Sequence, residues 1–198
     1  MTINCGKITK ETKELMFSLI DKAEKRRREH SVYLCEDKNG NIVHSNFCIG
    51  SLIRYPDEDS KNSKISASVS VKKLATCRCP IGTRTIGNFH THPFGTLRPS
   101  KTDIVSIVSE GHSSICIGIR SNEWIEKING VRDIDKISCF DIKDEELLRL
   151  GNEAQELAQK GNIDEAKSRV IPIMFDRIKN VSFGHLLKTK CKMSITRL

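Results

Sequence analysis

The stretch "GNFHTHPFGTLRPSKTD", residues 87–103, sets two histidines, a serine and an aspartate within the fourteen positions from His90 to Asp103. The residues before it, "TRTIGNF", have the pattern of a strand that runs straight into the histidines. The residues after it, "SKTDIVSIVSEG", predict a helix with Ser100 as N-cap, Asp103 in the first turn and Gly111 as its stop. Side chains at i and i+2 of a strand share a face, so His90 and His92 can reach one ion. The connecting loop must fold Asp103 back against the same strand end. Two imidazoles and a carboxylate leave the fourth position of a tetrahedral site open, which is how catalytic zinc is held. Nitrogen and oxygen donors also admit other divalent ions, and zinc, one Zn2+ per chain, is the favoured reading.

Outward from this stretch the chain keeps a regular rhythm. Leu15, Leu19, Ile20 and Ala23 recur at helical spacing over residues 8–28, with Thr9 or Thr12 as cap. "SVYLCED", the turn "KNGN" and "IVHSNFCIGSLIRY" predict a hairpin. A polar loop at 56–64 leads to the alternating strand "ISASVSVKK". Downstream, "SSICIGIR" reads as a central strand, and "EWIEKING" and "KISCFDI" as two edge strands. From Asp144 the pattern turns helical, with Pro172 expected to kink or divide the second helix before a weaker basic tail. The expected fold is α/β of the α+β kind: a mixed, largely antiparallel sheet flanked by helices, with a helical C-terminal extension. The domain division is 1–142 and 143–198.

A chain of 198 residues suits one domain of ordinary size. Apolar residues are 37% of it, enough for a core because they fall in organised runs. No run approaches the ~20 apolar residues that span a bilayer, and the first residues lack a signal-peptide pattern. A cytoplasmic location without membrane contact is expected. On that basis the eight cysteines, irregularly spaced and partly inside apolar runs, read as buried free thiols. The Cys77-Arg78-Cys79-Pro80 pair has no second pair at finger spacing. The net charge of +8 admits nucleic acid as a partner. Scattered basic residues and only 5% aromatics favour a solvated surface instead.

His90-Thr91-His92, seven residues, Ser100, two residues, Asp103 resembles the JAMM/MPN (JAB) zinc metalloprotease signature, His-x-His-x7-Ser-x2-Asp, and Pro93 fits it too. The resemblance implies the cytidine-deaminase-like fold of that family over residues 8–142. It also implies hydrolysis of peptide or isopeptide bonds, often after the C-terminal tail of a ubiquitin-like or sulfur-carrier protein. Within it His90, His92 and Asp103 are the metal ligands, and Ser100 is the donor to the oxyanion. The family's general base is an upstream glutamate in Glu-x-x-Gly-x-Leu. Here Glu29-His30-Ser31-Val32-Tyr33-Leu34 matches at glutamate and leucine, with Val32 in place of glycine. Glu36 is the other candidate. Seven residues from Glu29, it would face the opposite side of a continuous strand, and Glu29 is preferred. The loops at 56–64 and 75–85 are expected to flank a substrate tail, with Cys77 and Cys79 near the entrance. Two rival functions keep the same fold: a nucleic-acid-associated branch, and a non-catalytic scaffold.

Overall fold

The computed structural model of the chain describes residues 2–46, 48–52, 78–93, 95–125 and 130–197. The expected loop at 56–64 and strand at 65–73 lie outside them. Seven strands form one sheet: β1 (Arg28–Glu36), β2 (Ile42–His44), β3 (Cys48–Leu52), β4 (Arg84–Thr91), β5 (Ser114–Ile125), β6 (Gly130–Ile142) and β7 (Leu187–Thr196). Their order is β2-β1-β4-β5-β6-β7, with β3 also paired to β1. Among the described strands, β4 and β5 run parallel and the other strand pairings are antiparallel. The parallel pair needs a crossover, and α2 (Lys101–Ser109) supplies it.

The sheet has helices on both faces. On one lies α1 (Lys10–Arg26), capped by the Thr9 side chain, which accepts from the Thr12 amide. Met16 rather than Leu15 joins Leu19, Ile20 and Ala23 in its buried stripe. Met16, Leu19 and Ile20 are each at most 1% exposed. Full burial of such side chains is worth about 1.5–3 kcal/mol each. They pack on Val32, Leu34, Phe89 and Ile137. On the other face, Ile104, Ile107 and Val108 of α2 pack with Ile115, Ile117 and Phe140 of the sheet. The same cluster takes in Leu147 and Leu150 of α3 (Glu145–Gln159) and Met174 and Ile178 of α5 (Ile171–Asn180). Gly151 lets α3 cross α2 closely, because a Cβ there would lie 2.3 Å from the Val108 carbonyl oxygen. Gly111 ends α2 at φ +78°, a left-handed conformation that favours glycine.

Two expectations about the strands are corrected. "EWIEKING" and "KISCFDI" are not edge strands: Glu123–Ile125 end β5 and residues 136–142 end β6, and both strands are interior. The edge is β7, the basic tail, which pairs with β6 from Leu187 to Thr196. Pro172 lies in the first turn of α5, and the backbone stays helical up to it through α4 (Ile163–Glu165) and a π turn (Ala166–Val170). A wider turn before proline accommodates the amide that proline lacks.

The cysteines also differ from expectation. Cys5 is bonded to Cys191, Cys35 to Cys79 and Cys116 to Cys139. Register is the reason. Cys116 opposes Cys139 across β5–β6, Cys139 opposes Cys191 across β6–β7, and Cys5 packs over them. The sulfurs of Cys5, Cys139 and Cys191 lie within 4.8 Å of one another. Disulfides are the chemistry of oxidising compartments, or of the cytosol of hyperthermophiles. The reading of the cysteines as free thiols is therefore overturned for these six. Among the described residues, no helix is long and apolar enough to cross a membrane.

Candidate metal centre

The centre is built where β4 ends and α2 begins. His90 opposes Ser31 on β1 and Ile117 on β5, so its ring lies on the α2 face of the sheet. His92 follows in a tight turn closed by the Gly95 amide donating to the His92 carbonyl at 3.0 Å. The two Nε2 atoms come within 2.9 Å of each other. Asp103 completes the triangle, with Oδ1 3.5 Å from His90 Nε2 and Oδ2 3.3 Å from His92 Nε2. A tetrahedral ion with bonds of about 2.0–2.1 Å needs donors roughly 3.4 Å apart. The two contacts to Asp103 match that spacing, and the imidazole nitrogens, at 2.9 Å, would open by about half an ångström to admit an ion.

The cap of α2 aims the carboxylate. The Ser100 amide donates to Asp103 Oδ2 at 2.6 Å, and the Asp103 amide donates to Ser100 Oγ at 3.1 Å, a reciprocal capping box. The Ser100 hydroxyl accepts in this pair, so its own proton remains available to a second partner. His92 is oriented by the backbone: its Nδ1 lies 3.0 Å from the Thr96 carbonyl, an acceptor that puts the ring proton on Nδ1 and leaves the Nε2 lone pair to the centre. Thr96 carries no signal in sequence, because any residue offers the same carbonyl. Next to it, the Arg98 guanidinium lies 5.2 Å from the Phe183 ring centroid. Phe183 belongs to α6 (Phe183–Leu186) and meets Phe140 edge-on at 5.7 Å. The C-terminal segment thus touches the loop that carries His92.

Glu29 starts β1. Continuing the register that pairs Ser31 with His90 sets Glu29 beside His92. It is 8% exposed, and burial pushes its carboxyl up to about 7, with His92 opposing that rise and Asp103 adding to it. Its electrostatic partners are therefore the centre's own residues. Burial also works on Asp103, but the hydrogen bonds and charges of His90 and His92 outweigh it and hold that carboxyl far below the usual range. Burial lowers His92, and Asp103, helped by the Thr96 carbonyl and Glu29, more than reverses the effect. Glu36 is elsewhere: at the far end of β1, roughly 23 Å along the strand, it forms an ion pair with Arg84. Cys79 is bonded to Cys35 at that far end, which removes it from the entrance expected for it. Cys77 lies outside the described residues.

No family model and no curated protein matches the chain. Among solved structures, the chain is similar to a crystal structure of a JAB1/MPN domain protein from Archaeoglobus fulgidus, at 18% identity and a TM-score of 0.29, over 56% of this chain and 75% of that one.

Proposed function

We propose that the chain is a zinc-dependent hydrolase of peptide or isopeptide bonds, acting after the C-terminal tail of a ubiquitin-like or sulfur-carrier protein. The observation that carries this reading is the convergence of His90, His92 and Asp103, whose donor atoms lie 2.9–3.5 Å apart, close to the spacing of ligands on one ion. A divalent ion held there supplies Lewis acidity, lowering the pKa of water from 15.7 toward ~7. Glu29 is the proton carrier. Its buried carboxylate takes the proton of the attacking water and delivers it to the leaving amine nitrogen. The Ser100 hydroxyl, its oxygen anchored on the Asp103 amide, donates to the oxyanion that develops on the scissile carbonyl. His90, His92 and Asp103 hold the ion, and the capping box keeps the carboxylate from rotating away.

The test is zinc content and cleavage measured together. Wild type is expected to hold about one zinc per chain and to release a modifier from a fusion joined through its C-terminal tail. Asp103→Ala removes the third ligand, and zinc affinity falls by more than about 100-fold, beyond what loss of an outer hydrogen bond costs. Zinc held equally by both proteins would sink the ligand assignment. Full zinc without cleavage of any tail-linked fusion would sink the substrate class.

A further inference from the structure

The two imidazoles of the proposed centre are oriented differently. His92 leans on a backbone carbonyl, which every sequence possesses. His90 has a side-chain partner: its Nδ1 lies 3.4 Å from Oδ1 of Asn88. Asn88 stands two residues earlier on β4 and therefore shares the face of His90. The two ring nitrogens of His90 are divided between Asn88 on one side and the pair formed by His92 and Asp103 on the other. His90 is only 5% exposed, so bulk water does not reach freely to replace a missing partner. A neutral imidazole has one N–H, and the acceptor at Nδ1 decides where it sits.

We propose that Asn88 is the positioning residue of His90. Its amide oxygen accepts from His90 Nδ1–H, fixes that tautomer and ring angle, and leaves the Nε2 lone pair to a divalent cation. The inference rests on the reading of His90, His92 and Asp103 as ligands. The orientation of the amide is what makes it specific. Turned over, its NH2 would face Nδ1, force the proton onto Nε2 and close the nitrogen that faces His92 and Asp103. Asn88 also opposes Tyr33 on β1, whose hydroxyl donates to Glu110 at 3.4 Å. The tautomer of one ligand thus depends on a residue outside the fourteen-residue motif.

Two variants and one direct observation test this. Asn88→Leu keeps the approximate volume and removes the acceptor; Asn88→Asp keeps an acceptor and adds charge. Zinc affinity is read by competition with a chromophoric chelator, and exchange of the His90 Nδ1 proton by nitrogen-15 NMR of the zinc-loaded chain, because without an ion Asp103 also draws a proton to Nε2. The expected results are an affinity about 10–100-fold weaker for Asn88→Leu, restoration in Asn88→Asp, and an Nδ1 proton that exchanges slowly in wild type and fast in Asn88→Leu. An Asn88→Leu affinity within about two-fold of wild type would overturn the proposal, as would a fast-exchanging Nδ1 proton in wild type. If wild type binds no zinc at all, the ligand reading falls and this proposal with it. If Asn88→Leu fails to fold, the affinity of Asn88→Asp and the wild-type exchange decide.

Discussion

The two faces of the sheet hold opposite kinds of donor atom. Under α1, the sulfurs of Cys116 and Cys139, and of Cys5 and Cys191, are bonded to each other. Across the sheet, the nitrogens of His90 and His92 and the oxygens of Asp103 converge without joining. Both groups arise the same way, through register between strands distant in sequence. On β4 the buried Phe89 faces α1 and the adjacent His90 faces α2; on β5 the same holds for Cys116 and Ile117. Sulfurs brought together can satisfy one another covalently. Imidazoles and a carboxylate cannot, and they stay available to a cation. One face is closed chemistry and the other is open.

The strongest way to break this contrast is through Glu29. Glu29→Gln should lower kcat by about 10²–10⁴ with zinc retained, whereas Glu36→Gln should leave both unchanged. Equal losses from the two variants, measured on one fusion substrate, would mean that β1 position rather than proximity to the centre decides the role. Next in size is the closed face. Replacing Cys5 and Cys191 together by serine should cost about 2–5 kcal/mol in denaturant unfolding without touching zinc content. A parallel loss of zinc would show that the two faces are not independent.

The smallest effect belongs to Glu110. Burial pushes its carboxyl up to about 7, against the hydrogen bond from Tyr33. The native chain then holds this proton more tightly than the unfolded one. Stability from the group is full below about 4.5 and is lost as pH rises toward 7. Glu110→Gln should therefore stabilise the chain by about 2 kcal/mol at pH 8 and make no difference at pH 4. Thermal unfolding at the two pH values checks it. A variant less stable than wild type at pH 8 would assign Glu110 a structural hydrogen bond worth more than its buried charge.

How much of this was legible depends on range. The strand, loop and helix around His90 and Asp103 were readable because the signals are local: i,i+2 on a strand and a serine cap. Odd spacing, also local, said that Glu29 and Glu36 could not both face the centre, and the resemblance at Glu29 and Leu34 chose between them. The disulfides were not legible, because Cys116, Cys139 and Cys191 meet only once three strands are in register. The edge position of β7 was hidden for the same reason: "KTKCKMSIT" has strand character, but nothing in it states which neighbour it joins. Asn88 had a weak local signal, two positions before His90, and lacked a reason to be read until the ring nitrogens had directions.

The Cys5–Cys191 bond turns most of the chain into a ring. A single protease cut anywhere from residue 6 to residue 190 opens that ring without releasing a fragment, and the Cys35–Cys79 bond bridges any cut between 36 and 78 a second time. A nicked molecule would stay in one piece, heavier only by the water of hydrolysis, until a reductant is added, so a non-reducing gel alone would not register the damage.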